Sequence, residues 1–248
     1  METEPSNPII IIPARLGSTR LPNKPLADIS GVPMIVHVMN RAKESSVGRV
    51  VVACAEHKIA DAVTKAGGEA IITLVELASG SDRIYEALTQ IDPNESHDAV
   101  IGLQGDLPTI SPKFLKIPLQ LLSNSDVDIG TLAAEIKEKK ENNDPNVVKA
   151  IVSGDHINLT RGKALYFSRS CVPWGDGQRW HHIGVYAYRR AALKHFVTCP
   201  STQLEKREKL EQLRALEIGL RIEVAFIDTV PLGVDTWEDL EMARNILN

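Results

Sequence analysis

Four charged side chains at three separate places in the chain have the chemistry of a phosphate site. Arg15 and Lys24 stand in "ARLGSTRLPNKPL", Asp106 in "LQGDLP" and Asp235 in "GVDTWEDL". Arg forks onto phosphate oxygens, and Lys sets a point charge beside them. Nine positions separate Arg15 from Lys24 (24 − 15), enough to close over a phosphate chain from two sides. Between them, Gly17 allows a tight bend, Ser18 and Thr19 are small hydroxyls, and consecutive amides can point at an anion. Arg20 reads equally as a phosphate ligand or as the partner of a nearby acid. The loop is neither G-x-x-x-x-G-K-[ST] nor G-x-G-x-x-G, which weighs against kinases and dinucleotide dehydrogenases.

Asp106 follows the apolar run "AVIGL", where a carboxylate can hold Mg²⁺, an ion completed by waters and substrate phosphates. Taken alone, Asp106 also reads as a turn residue before Pro108. Asp235 precedes Thr236, which with Asp239 forms a helix cap; the cap explains Thr236 and Asp239 and leaves Asp235 over. Two carboxylates and two cations together point to metal-assisted nucleotidyl transfer, governed by in-line positioning and charge neutralisation.

Two further stretches offer recognition chemistry. "ASGSDRIYEAL" sets Ser79 and Ser81 at a helix N-terminus with Arg83 in the first turn: either a base or ribose reader with a phosphate-binding Arg, or a plain Ser79–Asp82 capping box. "YFSR", "HHIGVYAY" and "KLEQLR" carry Arg169, His182, Tyr186, Glu211 and Gln212 on otherwise apolar elements. Such groups suit a small acidic, hydroxylated ligand, Arg taking the carboxylate, and they equally suit a hydrogen-bonded interior and a solvated helix face.

The elements that must position these groups alternate. "PIIIIPA" reads as a buried strand ended by Pro13, "MIVHVMNRAKES" as a helix with Met34, Val38 and Ala42 on one face, and "RVVVAC" as the next strand. "HKIADAVTKAGG", "EAIITL", "SDRIYEALTQI" and "DAVIGLQGD" continue helix, strand, helix, strand. This rhythm predicts an α/β fold with a doubly wound, mostly parallel sheet, whose ligands lie beyond the carboxyl ends of the strands. From about Asp126, "DIGTLAAEI", "NVVKAIVS", "ALYFSR" and "HIGVYAYRR" crowd together and predict a smaller mixed or antiparallel insertion. "LEKREKLEQLRALEIG" reads as one helix, "RIEVAFI" as a strand and "WEDLEMARNIL" as a closing helix. No repeat or linker divides the chain, so residues 1–248 read as one domain. Its alternating part spans roughly 1–125 and its strand-crowded part roughly 126–225.

Composition narrows the class. With 43% hydrophobic and 24% charged residues the chain reads as soluble and globular, and a net charge of −4 offers no broad field for nucleic acid or an acidic membrane. Three cysteines without a CxxC pair fit reduced thiols and a cytoplasmic setting. No stretch has the length of a membrane span, and "METEPSNP" lacks the cationic start of a signal peptide.

The ordered set "IIPARLGSTRLPNKPLADISGVPMIVHV", "SGSDRIYEAL", "LQGDLP", "ALYFSRSCVPW", "HHIGVYAYRR", "LEKREKLEQLRALEIG" and "GVDTWEDLEMAR" resembles the 3-deoxy-D-manno-octulosonate (Kdo) cytidylyltransferase family, the CMP-Kdo synthetases, over nearly the whole chain. The resemblance implies a Rossmann-like nucleotide-diphospho-sugar transferase fold and a cytoplasmic homodimer, with roughly 1–125 as the nucleotide-binding part and roughly 126–225 as the sugar-binding and dimerisation part. It also implies the reaction of CTP with Kdo to CMP-Kdo and pyrophosphate, which feeds lipopolysaccharide synthesis. It places Ala14, Arg15, Gly17, Ser18 and Lys24 at the CTP phosphates and Ser79, Gly80 and Arg83 at the cytidine end. Lys24 is assigned to catalysis with Asp106 and Asp235, the latter two as Mg²⁺ ligands. Gln104, Arg169, His182, Tyr186, Glu211 and Gln212 are placed around the sugar acid. The chain departs from the family at Leu77, where His is common, at Leu107, where Glu is common, and at Gly102, where Asn is common. Those departures leave an 8-amino Kdo analogue as an alternative acceptor; a sialic acid is the acceptor in the competing CMP-sialate synthetase reading, and an inactive nucleotide-binding dimer is the alternative of another class.

Overall fold

The computed structural model describes residues 4–18, 20–154 and 160–248. They form two compact units, one of residues 6–116 and 231–248, the other built on residues 117–230. The architecture is mixed α/β throughout.

The first unit begins with β1 (Pro8–Ala14), whose Ile9 to Ile12 are fully buried. The short strands β2 (Asp28–Ile29) and β3 (Val32–Pro33) pair with each other and lead into α1 (Met34–Glu44). Met34, Ile35, Val38, Met39 and Ala42 recur at helical spacing and form its buried face. Then come β4 (Arg49–Cys54), α2 (His57–Lys65), β5 (Ala70–Ile72), α3 (Gly80–Ile91) and β6 (Ala99–Leu103). The strands run β5-β4-β1-β6, all parallel. Strands covered on both faces need continuous apolar runs, which "IIII", "VVVAC" and "AVIGL" supply.

Pro13 does not end β1, contrary to the sequence expectation: it pairs opposite Ala53, and the strand runs on to Ala14. The β6 side of β1 is paired no further than Ile11, so a proline without an N–H is tolerated beyond it.

The second unit begins with α4 (Lys116–Leu121) and β7 (Ile129–Glu135), followed by β8 (Lys149–Ser153), β9 (Arg161–Ser168) and β10 (Trp180–Arg189). Three short helices, α5 (Arg190–Thr198), α6 (Gln203–Glu208) and α7 (Gln212–Glu217), precede β11 (Ile222–Ile227). Its strands run β10-β7-β11-β9-β8, with only β7 and β11 parallel, and β8 returns to β10 at Trp180 and His181.

The single helix expected over "LEKREKLEQLRALEIG" is two, broken at Lys209, which adopts a left-handed conformation (φ 56°). Nine residues of straight helix would separate residues 205 and 214 by about 13.5 Å along the axis. Instead Arg214 reaches back, its NH2 2.6 Å from Glu205 Oε1 and its Nε 2.9 Å from Glu205 Oε2. Periodicity cannot report a fold-back driven by a buried ion pair.

After Val230 the chain returns to the first unit, ending in α8 (Trp237–Leu247), capped by the expected reciprocal Thr236–Asp239 bonds. Leu21 from the loop after β1 packs with Ile29, Met34, Val234, Leu240 and Ala243 in one apolar cluster. Burying side chains of this size stabilises by about 1.5–3 kcal/mol each, and the cluster fixes the loop and Asp235 to the same floor.

Candidate active site

In the first unit a cavity of about 400 Å³ is lined by Ala14, Arg15, Gly17, Ser18, Arg20, Lys24, Ser79, Gly80, Arg83, Gln104, Asp106 and Asp235. Each element delivers its residue by ordinary means. The loop carrying Arg15 to Lys24 leaves β1, Asp106 follows β6, and the backbone N–H of Val234 donates to Asp106 O at 2.9 Å, which sets Asp235 beside it. Gly105 makes the approach possible, since a Cβ there would lie 3.0 Å from Pro13 O and 3.3 Å from the Ile35 side chain.

The charged groups converge. Lys24 Nζ donates to Asp106 Oδ2 and to Asp235 Oδ1, each at 2.8 Å, and Arg20 donates to Asp235 Oδ2 at 3.0 Å. Arg20, left open by the sequence, therefore pairs with an acid. Burial alone would lower the pKa of the Lys24 ammonium, but Asp106 and then Asp235 outweigh it and hold it above 10.5. Burial likewise pushes Asp235 up, yet the bond and charge of Lys24, then those of Arg20, bring it below 3.8.

At the other wall Arg83 is 2% exposed; its NH1 donates to Thr73 Oγ1 and to Leu74 O, and burial lowers its pKa. Ser79 Oγ accepts from Asp82 N at 3.1 Å and donates to Asp82 Oδ2 at 2.8 Å, so its hydroxyl serves the cap of α3 while the residue lines the cavity.

Two features of the loop differ from the sequence reading. Gly17 is outside the left-handed region and a Cβ there meets nothing within 4 Å, so the bend does not require glycine. The loop is held instead by Glu56, whose Oε1 accepts from Leu16 N at 3.1 Å. Glu56 was missed, although an acid just past the apolar run "RVVVAC" is the same signal that identified Asp106. Of the departures, Leu77 lines the cavity, Gly102 lies within β6 opposite Ile11, and Leu107 is buried with its Cδ2 3.8 Å from the place of a Cβ on Gly233.

Asp106 and Asp235 fit Mg²⁺ by their chemistry: two hard carboxylates that already share one cationic atom between them. Among the described residues no group of three or more His, Cys, Asp or Glu gathers to hold a metal by itself, so phosphate oxygens would complete the shell.

Gln104 stands in this cavity, whereas the other five residues expected at the sugar lie in the second unit. There His182 is buried, with the Phe167 ring edge-on at 4.8 Å and the Tyr186 ring at 5.4 Å. Burial, then neighbouring His181, brings its pKa down to about 3, and burial raises the Tyr186 phenol well above 10. Gln212 is buried at the start of α7, and Glu211 Oε1 is 3.9 Å from Arg214 NH2. The Arg169 guanidinium donates to Glu208 O at 2.9 Å, Pro145 O at 2.8 Å and Lys209 O at 3.2 Å. The break between α6 and α7 exposes two of those carbonyls, which a continuous helix would have used internally.

Three cysteines are present as thiols, Cys54 buried and Cys171 exposed, and among the described residues no helix is long and apolar enough to cross a membrane.

Comparison with known proteins agrees with this chemistry. A relative from Rhodospirillum centenum named 3-deoxy-manno-octulosonate cytidylyltransferase is 56% identical over 248 residues, covering 100% of this chain and 96% of its own. One of the same name from Bartonella henselae is 55% identical over 240 residues, covering 97% and 98%. A solved structure of CMP:2-keto-3-deoxy-manno-octonic acid synthetase complexed with CTP superposes with a TM-score of 0.87 at 37% identity, covering 98% of each chain. The cytidylyltransferase family model matches residues 9–222, and the chain belongs to that family of nucleotidyltransferases.

Proposed function

We propose that this chain transfers the CMP moiety of CTP to Kdo, giving CMP-Kdo and pyrophosphate. The observation that carries the reading is the convergence of Lys24 on Asp106 and Asp235 in one cavity that Arg15 also lines. Names and near full-length identity of the relatives support the substrates.

In this reading Arg15 and Lys24 take the triphosphate and draw charge off the leaving pyrophosphate. Ala14, Gly17 and Ser18 shape the phosphate wall, and Ser79, Gly80 and Arg83 the cytidine end. Asp106 and Asp235 would hold Mg²⁺, which when bound neutralises phosphate charge and acidifies the attacking hydroxyl. Arg169 takes the sugar carboxylate, while Gln104, His182, Tyr186, Glu211 and Gln212 orient its hydroxyls. The anomeric oxygen forms its bond to the α-phosphorus as the bond from that phosphorus to the bridging oxygen breaks, without a covalent enzyme intermediate.

We read the parallel strands of the first unit as a doubly wound, Rossmann-like core and the second unit as its mixed insertion, both parts of one nucleotidyltransferase domain. The enzyme would act as a cytoplasmic homodimer supplying lipopolysaccharide synthesis. The exposed Trp174 and Leu165 offer apolar surface for a second copy, and light scattering on the purified chain tests the dimer.

The deciding experiment is pyrophosphate release with CTP, Mg²⁺ and, in parallel, Kdo, its 8-amino analogue and a sialic acid. Release with Kdo is expected. Preference for another acid moves the acceptor, and release with none refutes the transferase and leaves an inactive nucleotide-binding dimer.

A further inference from the structure

Thr131 lies fully buried on β7, and its hydroxyl has three polar neighbours: His182 Nε2 at 3.1 Å, Ile183 O at 3.2 Å and Val185 O at 2.9 Å. The two carbonyls come from an irregularity in β10, whose pairing with β7 shifts between Ile183 and Tyr186.

A hydroxyl has one proton and two lone pairs, and carbonyls can only accept. Were the proton given to the imidazole, two carbonyl oxygens would press on the hydroxyl oxygen with no hydrogen between them. The arrangement that satisfies every group sends the proton to the carbonyls, Val185 O being the nearer, and leaves a lone pair to accept from His182. Nε2 must then carry the ring proton. His182 is neutral at working pH, burial and His181 keeping it so, and a neutral ring protonated on Nε2 has a bare Nδ1. The ring has little room to turn, since Phe167 and Tyr186 pack against it.

We propose that Thr131 is a positioning residue that fixes His182 as its Nε2–H tautomer, so that Nδ1 meets the sugar acid as an acceptor for one of its hydroxyl protons. This rests on the reading that His182 contacts the sugar. It assigns that contact to a hydroxyl and leaves the carboxylate to a cation, because a bare nitrogen repels a carboxylate and accepts from an O–H.

The test is ¹⁵N NMR of the His182 ring in the full-length protein at neutral pH, assigned with His182→Gln. A protonated Nε2 and a bare Nδ1 are expected, with the Nδ1 resonance moving on addition of Kdo. Thr131→Val removes the acceptor and should mix the tautomers, raising KM for the sugar acid about tenfold while kcat changes less than about threefold, the signature of one lost hydrogen bond. Thr131→Ser keeps the hydroxyl and should restore both. If Thr131→Val does not fold, the wild-type tautomer and the serine variant still decide. A wild-type ring protonated on Nδ1 overturns the proposal, as does Thr131→Val with unchanged tautomer and KM. A ring protonated on Nε2 but unmoved by Kdo, in protein that still turns over, overturns it by removing the sugar contact and leaves the reaction itself standing.

Discussion

Replacing Lys24 with Met tests the charge logic of the site. Lys24, Arg20, Asp106 and Asp235 form a cluster of zero net charge, and the substitution leaves it at −1. Two contacts of 2.8 Å to one nitrogen place the carboxylate oxygens at most 5.6 Å apart, twice 2.8 Å. At an effective dielectric of about 20, unit charges at that distance repel by about 3 kcal/mol. The side chains of Asp106 and Asp235 are 31% and 47% exposed, and solvent screening reduces the loss to about 1–2 kcal/mol. Urea unfolding should report a loss of that size for Lys24→Met, and the double variant with Asp106→Asn should recover most of it by returning the cluster to neutrality. Activity should behave otherwise. On the proposed reading, removing one preorganised cation from a phosphoryl site costs about 3 kcal/mol, a fall in kcat/KM of about 10²–10³, and neutralising Asp106 would remove a proposed metal ligand without replacing the cation. Pyrophosphate release should thus stay low in the double variant while stability returns. Wild-type stability in Lys24→Met, or turnover in the double variant above about a tenth of wild type, would refute the reasoning.

Three other outcomes are expected. Burial holds His181 at about 4 and His182 at about 3 against an ordinary 6.5, so between those values the unfolded chain binds more protons than the native one and stability must fall as pH drops. Each histidine contributes a slope of up to about 1.4 kcal/mol per pH unit, and urea midpoints from pH 7 to 4.5 should fall less steeply for His182→Gln; an identical slope refutes the assignment. Glu205→Ala removes the two close carboxylate bonds of Arg214, whose side chain is 6% exposed, and leaves it Phe196 O, Cys199 O and the more distant Glu211; it should cost about 3 kcal/mol by denaturation, a loss below about 1 kcal/mol showing that the pair does not hold the fold-back. A Cβ on Gly130 would sit 2.1 Å from Pro118 O, so Gly130→Ala should fail to fold stably, while Gly17→Ala should unfold within about 0.5 kcal/mol of wild type. Equal stability of these two alanine variants would refute the packing argument.

Much of this was legible in the sequence, for reasons that differ by element. β1, β4 and β6 are buried on both faces and can be built only from apolar runs, while α1 and α3 show their buried faces at helical spacing. Charged residues close behind such runs stand out, which is how Arg15 and Asp106 could be picked out, with Lys24 joined to Arg15 by its place in the same loop, before any geometry was known. Pattern fails where a distant partner decides. Lys209 breaks a good helical repeat because Arg214 must reach Glu205, and Arg20 turns to an acid 215 positions away. Thr131 gave no signal at all, since one hydroxyl in an apolar strand ordinarily bonds its own backbone. The Gly17 argument failed for another reason: glycine permits a tight bend but does not prove one.

The return of residues 231–248 to the first unit has a consequence in time. Asp106 is synthesised well before the whole second unit, Asp235 only after it. Leu21 and Met34 must wait for Val234, Leu240 and Ala243 before their cluster closes. A ribosome-bound chain can assemble the parallel strands early, yet the cluster of Lys24 with Asp106 and Asp235 stays half built until the last residues of the chain arrive. Chains stalled or clipped before Asp235 would lack one of the two carboxylates, and on the proposed reading such incomplete copies would be unable to spend CTP.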